Sequence, residues 1–440
     1  MARDSAFLKP KFSSCTFPQR GLFSGFVVGA GHFRLPSPPL YCKEVMVRMG
    51  LLDKVNNFKT ARELQAADLY NYFRVIESAQ ENTVRYKGRE IIMLGSNNYL
   101  GLTNHPRVKE AAAAAVQKYG TGCAGSRFLN GTLDIHIELE EKLADLVGKK
   151  KALVFSTGFM VNQGVLSSLV QRNELIIVDR TDHASIIDGA RLSFAEVRKY
   201  RHNDMESLEM VLSMNADTPK LVIVDGVFSM EGDIAKLPEI VQLCEKHDAF
   251  LMVDDAHGVG VLGDHGRGTC QHFGLTDKAG LIMGTFSKSL ASVGGFVAGD
   301  EDVMHYIQHH SRALMFSASM PPASVASVSA AVDVMLEESW RHEALWRNND
   351  IMRKRLKDAG FNTGPSETPI IPAVVGEDMA AFKMCSRLAE EGVFVNPVIS
   401  PAVEKGNALI RLSLMATHTE DEIHKAMDIM ARVGKELGIV

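Results

Sequence analysis

Six short apolar runs, most of them separated by helix-length segments, constrain this chain more than any other feature. They read "KALVF", "ELIIV", "KLVIVDG", "FLMVDD", "GLIMGTF" and "GGFVAGD". Runs this short and this rich in Val, Ile and Leu suit strands buried on both faces, and helices between them supply the crossovers that parallel strands require. The sequence therefore predicts an α/β fold from Ile91 onward, with a mostly parallel sheet flanked by helices. "HPRVKEAAAAAVQKYG" and "DIHIELEEKLADLVG" are the plainest helices, each closed by a glycine, the second with its aspartate at the N-terminus.

After about residue 315 the texture changes. A long helical stretch, "ASVASVSAAVDVMLEESWRHEALWRNNDIMRKRLKDAG", precedes short strands around "TPIIPAVV", "VFVNPVI" and "ALIRLSL", which predicts a smaller C-terminal α+β domain. The expected division is an extension over 1–48, an arm over 49–95, a large domain over 96–335 and a small domain over 336–440. The extension stands apart by its excess of basic residues, the prolines of "RLPSPPLY" and the apolar patch "GLFSGFVVGAG". It matches neither a secretory signal nor a transit peptide, so disorder is expected there, with Met49 a candidate functional start.

Composition narrows the class of partner. A formal net charge of −5 offers no general attraction for nucleic acid. No apolar run approaches the roughly 20 residues of a membrane-spanning helix, and no basic amphipathic helix stands out, which leaves at most peripheral membrane contact. Six cysteines (Cys15, Cys42, Cys123, Cys244, Cys270 and Cys385) lack metal-ligand spacing and read as reduced thiols of a cytoplasmic chain, with no metal site.

Ligands of parallel α/β sheets gather at the carboxyl ends of strands. There "FLMVDDAHG" places Asp254, Asp255 and His257, acids that alone would serve magnesium binding or a turn equally well. "GTFSKS" places Lys288 after another apolar strand, flanked by Thr285, Ser287 and Ser289. Small and hydroxylic neighbours make a poor solvated face, but they suit a lysine whose amine must lose its proton and attack a carbonyl. "FSTGFMVNQGV" runs from strand to helix through Ser156, Thr157 and Gly158, aiming free N–H groups at an anion. Neither GxxxxGK[ST] nor a strand-linked GxGxxG occurs there, so a nucleoside triphosphate or dinucleotide is not indicated. A Schiff-base lysine, an aspartate for a pyridine nitrogen and a helix end for a phosphate together describe pyridoxal 5'-phosphate. His183 in "RTDHASIIDG", also at a strand exit, can stack on the cofactor ring; His257 is placed to reach its phenolic oxygen, and Ser229 in "DGVFSMEGD" is a further contact.

The segments "GSNNYLGL", "YGTGCAGSRFLNGT", "DHASIIDG", "VDGVFSMEGD", "VDDAHGVGVLG", "GRG" and "GTFSKS" occur in one order, and with them the chain resembles the α-oxoamine synthases, a family of fold-type-I pyridoxal phosphate enzymes. The likeness covers nearly all of Met49 to Val440. It implies that Lys288 bonds the cofactor, His183 stacks on it, Asp254 pairs with its ring nitrogen and His257 meets its phenolic oxygen. Thr285, Ser287 and the backbone at Gly158 and Phe159 would hold the phosphate. The family's homodimers carry their sites at the subunit interface, which implies that Ser317 in "MFSAS" reaches the neighbour's phosphate.

Asn97 and Arg411 match positions used for the amino-acid substrate. "HNDMESLE", "SETPIIP" and "EEGVFVNPVI" most resemble the bacterial members that condense L-serine with the long-chain donor palmitoyl-CoA, giving 3-oxosphinganine, CoA and carbon dioxide, the entry to sphingolipid biosynthesis. Members that acetylate glycine or form 8-amino-7-oxononanoate are the alternatives. Ser400 stands where some members carry an arginine, which turns the carboxylate role toward Arg411 and away from the 8-amino-7-oxononanoate reading. A non-catalytic subunit is the remaining alternative, and the retained Lys288, Asp254 and His183 argue against it.

Overall fold

Strand β1 (Thr83–Tyr86) turns back into β2 (Arg89–Met93) through Lys87 and Gly88, both at positive φ, the two-residue hairpin turn that suits strand twist. This is a computed structural model, and it describes residues 50–440. The expected extension over 1–48 lies outside the described residues. Residues 50–58 belong to a unit separate from Lys59–Val440 and hold one short helix, Leu51–Asn56, where Asp53 accepts the Gly50 N–H at 2.7 Å.

The central sheet is built from β3 (Lys151–Phe155), β4 (Leu175–Asp179), β5 (Glu196–Tyr200), β6 (Lys220–Asp225), β7 (Phe250–Asp254), β8 (Leu281–Thr285) and β9 (Gly295–Gly299). Their order across the sheet is β3-β9-β8-β7-β6-β4-β5. All six apolar runs read from the sequence are strands of this sheet. The seventh strand, β5, is polar and mostly exposed because it forms the sheet edge, and it lacks the apolar pattern that revealed the others. Strands β5, β4, β6, β7 and β8 run parallel, whereas β9 runs antiparallel to both neighbours. Only residues 286–294 join β8 to β9, too few for the dozen or more that a parallel crossover takes.

Alternate residues of the strands enter two cores. Ile177, Val222 and Val253 point to one face, and Ile176, Ile223 and Met252 to the other. The helices Gly158–Leu169 and Ala184–Leu192 cover the second face, packed on each other. Pro106–Tyr119 is helical and ends at Gly120 with φ of 81°, as its glycine suggested. Asp134 is the first residue of its helix, as expected, and the N–H of the preceding Leu133 donates to His136 Nδ1 at 3.1 Å.

The long helical stretch after residue 315 is two helices, Pro322–Glu337 and Trp340–Asp358. Beyond them lie β10 (Ile370–Gly376), β11 (Val393–Phe394), β12 (Asn396–Val398) and β13 (Ala408–Ser413). The single run "VFVNPVI" is shared between two sheets. Strand β11 joins β2 in the β1-β2-β11 sheet, while β12 pairs with β13 in the β10-β13-β12 sheet.

Candidate active site

The carboxyl ends of β6, β7 and β8 bring Asp225, Asp254 and Thr285 to one edge of the sheet, with Asp225 opposite Asp254 in register. Strand β3 exits on the same side, and Gly295 of β9 pairs with both Phe155 and Thr285, so the segments after β3 and β8 meet. Between them opens a cavity of about 290 Å³, lined by Gly158, Phe159, His183, Asp254, His257, Thr285, Ser287 and Lys288 together with Thr157, Ser185, Asp225 and Val293. The structure thus gathers eight of the twelve residues singled out from the sequence.

Strand geometry decides between the two aspartates of "VDDAHG", because successive side chains leave a strand on opposite faces. Asp254 lines the cavity, its Oδ1 accepting the Ala256 N–H at 3.1 Å and its Oδ2 an Asn162 amide hydrogen at 2.7 Å. Asp255 turns away and accepts from the Thr269 N–H at 2.7 Å and the Thr269 hydroxyl at 2.6 Å. Burial pushes the Asp255 carboxyl up to about 7, a structural acid rather than a site group.

Thr157 caps the helix Gly158–Leu169, its hydroxyl accepting the Met160 N–H at 3.2 Å. Among the described residues no group accepts from the N–H of Gly158 or Phe159, so both remain for an anion at the positive end of the helix. Opposite them the Thr285 and Ser287 hydroxyls lie 3.0 Å apart. Glycine is required at 158 by close approach: a Cβ there would sit 2.5 Å from Thr285 Oγ1.

Lys288 is half-buried, and its amine makes no hydrogen bond among the described residues. Burial lowers its pKa from the usual 10.5 to about 8, with Asp254 and Asp225 opposing the shift and Arg411 adding to it. His257 is buried, with Nδ1 2.7 Å from the Tyr99 hydroxyl; burial first, then the charges of Lys288 and Arg411, hold it well below the usual histidine range and therefore neutral. His183 opens to the cavity on one side, and desolvation of its enclosed side lowers its pKa as well.

Four expected residues do not line this cavity. Arg411 is buried in β13, donating to the Ser229 carbonyl at 2.6 Å, to Asn97 Oδ1 at 2.9 Å and to the Ser413 hydroxyl at 2.6 Å. The Tyr99 side chain interacts with the same guanidinium. Asn97 and Ser229 thus serve as supports of Arg411, Ser229 through its backbone. Ser317 is half-buried in the segment following the helix Arg312–Met315.

Sequence reasoning passed over Asp225, Tyr99, Asn162 and Ser185. Asp225 ends its apolar strand just as Asp254 does, and that signal was legible. Nothing local marks the other three. The donor set is specific: free N–H groups and hydroxyls at one end, a buried carboxylate at the base, an amine with a lowered pKa in the wall. It fits the phosphate, the basic ring nitrogen and the aldehyde of pyridoxal 5'-phosphate.

The pattern of the aminotransferase class I and II family matches residues 89–430. The chain belongs to that family. It is 55% identical over 390 residues to a serine palmitoyltransferase of Sphingobacterium spiritivorum, covering 88% of this chain and 98% of that one. A more distant relative is an 8-amino-7-oxononanoate synthase of Thermoanaerobacter pseudethanolicus, 44% identical over 380 residues, which cover 86% of this chain and 96% of that one. Among solved structures, SPT with a PLP internal aldimine superimposes with a TM-score of 0.86 at 34% identity, covering 89% of this chain and all of the other. The likeness to the α-oxoamine synthases, drawn first from short segments, therefore holds along nearly the whole described chain.

Proposed function

We propose that the chain is a pyridoxal phosphate-dependent acyltransferase that condenses L-serine with palmitoyl-CoA and releases 3-oxosphinganine, CoA and carbon dioxide. The observation that carries this reading is Lys288, an amine at a lowered pKa in a cavity that also holds Asp254, His183 and the open end of the helix Gly158–Leu169. The relatives named serine palmitoyltransferase, at higher identity than the 8-amino-7-oxononanoate synthase, select the substrates.

When bound, the cofactor holds the amino group of serine covalently and draws electron density from its Cα. The residues of the chain do the rest. Gly158 and Phe159 N–H groups, with the Thr285 and Ser287 hydroxyls, would grip the phosphate, and Asp254 would hold the protonated ring nitrogen. Lys288 would take the Cα proton and later return one after carbon dioxide has left. Arg411, steadied by Asn97 and the Ser229 carbonyl, would bind the serine carboxylate until then.

The lowered pKa of Lys288 has a testable sign. Only the unprotonated amine attacks an aldehyde, and it is the minor form below the pKa. Uptake of cofactor by the cofactor-free protein should therefore accelerate roughly tenfold per pH unit up to about 8 and then level off, whereas an ordinary lysine would keep gaining until about pH 10.5. Stopped-flow recording of the visible band against pH measures this, and continued tenfold gains above about pH 9 would contradict the lowered value.

The substrate assignment is tested by comparing serine plus palmitoyl-CoA with glycine plus acetyl-CoA. At about 0.8 kcal/mol per buried methylene, a site that receives a long chain favours the C16 donor strongly. Faster turnover of the acetyl pair would overturn the assignment. A homodimer, with Ser317 reaching the neighbour's phosphate, belongs to the same reading, as do a role in sphingolipid synthesis and a cytoplasmic location with at most peripheral membrane contact. Among the described residues no helix is long and apolar enough to cross a membrane.

A further inference from the structure

Asn162 lies one turn into the helix Gly158–Leu169, fully buried, and its side chain reaches two groups of the site at once. Its amide nitrogen is 2.7 Å from Asp254 Oδ2 and 2.8 Å from the Ser185 hydroxyl. Its Oδ1 is buried without a hydrogen-bond partner. An amide turned end for end would set that oxygen against the Asp254 carboxylate, acceptor against acceptor. The orphaned side-chain carbonyl is thus what remains when both amide hydrogens go to Asp254 and Ser185.

The chain of donors continues. Since the Ser185 hydroxyl accepts from Asn162, its own hydrogen is free for His183 Nδ1 at 2.8 Å, and the Ser185 N–H points at the same nitrogen at 3.3 Å. An Nδ1 that accepts from both leaves the proton of the neutral imidazole on Nε2. That nitrogen keeps no partner among the described residues. The reach of Asn162 depends on close packing of two helices: a Cβ at Gly189 would sit 2.7 Å from the backbone carbonyl oxygen of Asn162, so only glycine lets them approach this far.

We propose that Asn162 and Ser185 are positioning residues that tie the Asp254 carboxylate to the His183 imidazole, fixing His183 as a donor from Nε2 toward the bound amino-acid substrate. This rests on the function proposed above, and it adds two residues that act through Asp254 and His183. The relay joins the base of the cavity to its wall, so that the group meeting the cofactor ring and the group meeting the substrate share one orientation.

The test uses the holoenzyme and two binding measurements made without an acyl donor. The dissociation constant of pyridoxal 5'-phosphate comes from titrating cofactor-free protein, and that of L-serine from the change in the visible spectrum. Asn162→Leu should weaken cofactor binding roughly tenfold to hundredfold, the loss expected for one hydrogen bond to a charged group. Ser185→Ala should weaken L-serine binding about tenfold while leaving the cofactor constant within about twofold, and Ser185→Thr, which keeps the hydroxyl, should restore it. The double variant should bind serine no worse than the weaker single variant, because one chain is broken only once.

If Asn162→Leu fails to fold, the Ser185 pair decides alone. Wild-type constants for both cofactor and serine in Ser185→Ala, or a Ser185→Thr variant as weak as Ser185→Ala, would overturn the relay. A wild-type protein that takes up no cofactor would instead overturn the function on which it rests.

Discussion

Lys288→Ala is expected to lower turnover of L-serine and palmitoyl-CoA by at least about 10⁴-fold, because in the proposed function one nitrogen is both the attachment point of the cofactor and the base for the Cα proton. The fold should survive. The side chain is half-buried, its amine makes no hydrogen bond among the described residues, and truncation therefore strands no donor or acceptor. Circular dichroism and a thermal midpoint within a few degrees of wild type check the fold, since about 1 kcal/mol moves the midpoint of a large domain by only a few degrees. Borohydride reduction followed by peptide mass spectrometry should find the cofactor fixed to the Lys288 peptide in wild type and nowhere in the variant. Turnover within about tenfold of wild type would remove Lys288 from the chemistry.

Asp254→Asn should cost about 10²–10³-fold in kcat, with weaker cofactor binding, although the side chain keeps its shape. The two carboxylate oxygens accept from Asn162 and from the Ala256 N–H, so an amide nitrogen in place of either oxygen faces a donor, and the negative charge for a ring nitrogen is gone. Stability is a separate matter. Burial first, then the charge of Asp254, hold the Asp225 carboxyl well above the usual range, and Asp182 beside it is raised by burial and by Asp179, with a smaller push from Asp254. Removing one charge from this buried acidic group relieves repulsion and offsets the donor left facing a donor, so the cofactor-free variant should unfold within a few degrees of wild type. Lost activity with retained stability identifies Asp254 as a residue kept for chemistry, whereas a fall in both would mark it as part of the packing.

The helix Gly158–Leu169 illustrates how legibility divides. Its N-terminal turn was readable because a strand, a Ser-Thr-Gly turn and an apolar helix follow one another without interruption, and each is a local property of the chain. Asn162, four residues further on, was not readable as a site residue. A buried asparagine in an apolar helix is locally an anomaly, and its meaning lies in Asp254 and Ser185, 92 and 23 residues away in sequence. The same holds for Tyr99 beside His257 and for Asn97 beside Arg411, pairs 158 and 314 residues apart. The edge strand Glu196–Tyr200 escaped for a different reason: an exposed strand carries no apolar run.

What the sequence alone determined is the six apolar strands of the central sheet, its mostly parallel course, and which strand exits carry a lysine, an aspartate or a histidine. These follow from local causes: the apolar content of a strand buried on both faces, the cap and closing residues of helices, the residue type at a turn. Only the tertiary structure decided that β9 runs antiparallel, that Asp254 rather than Asp255 faces the cavity, that Arg411 is held by Asn97 and the Ser229 carbonyl, and that one amide joins Asp254 to Ser185. Each of those depends on the direction in which a side chain leaves its element and on what long-range packing sets opposite it. Periodicity records which residues are buried; it does not record their partners.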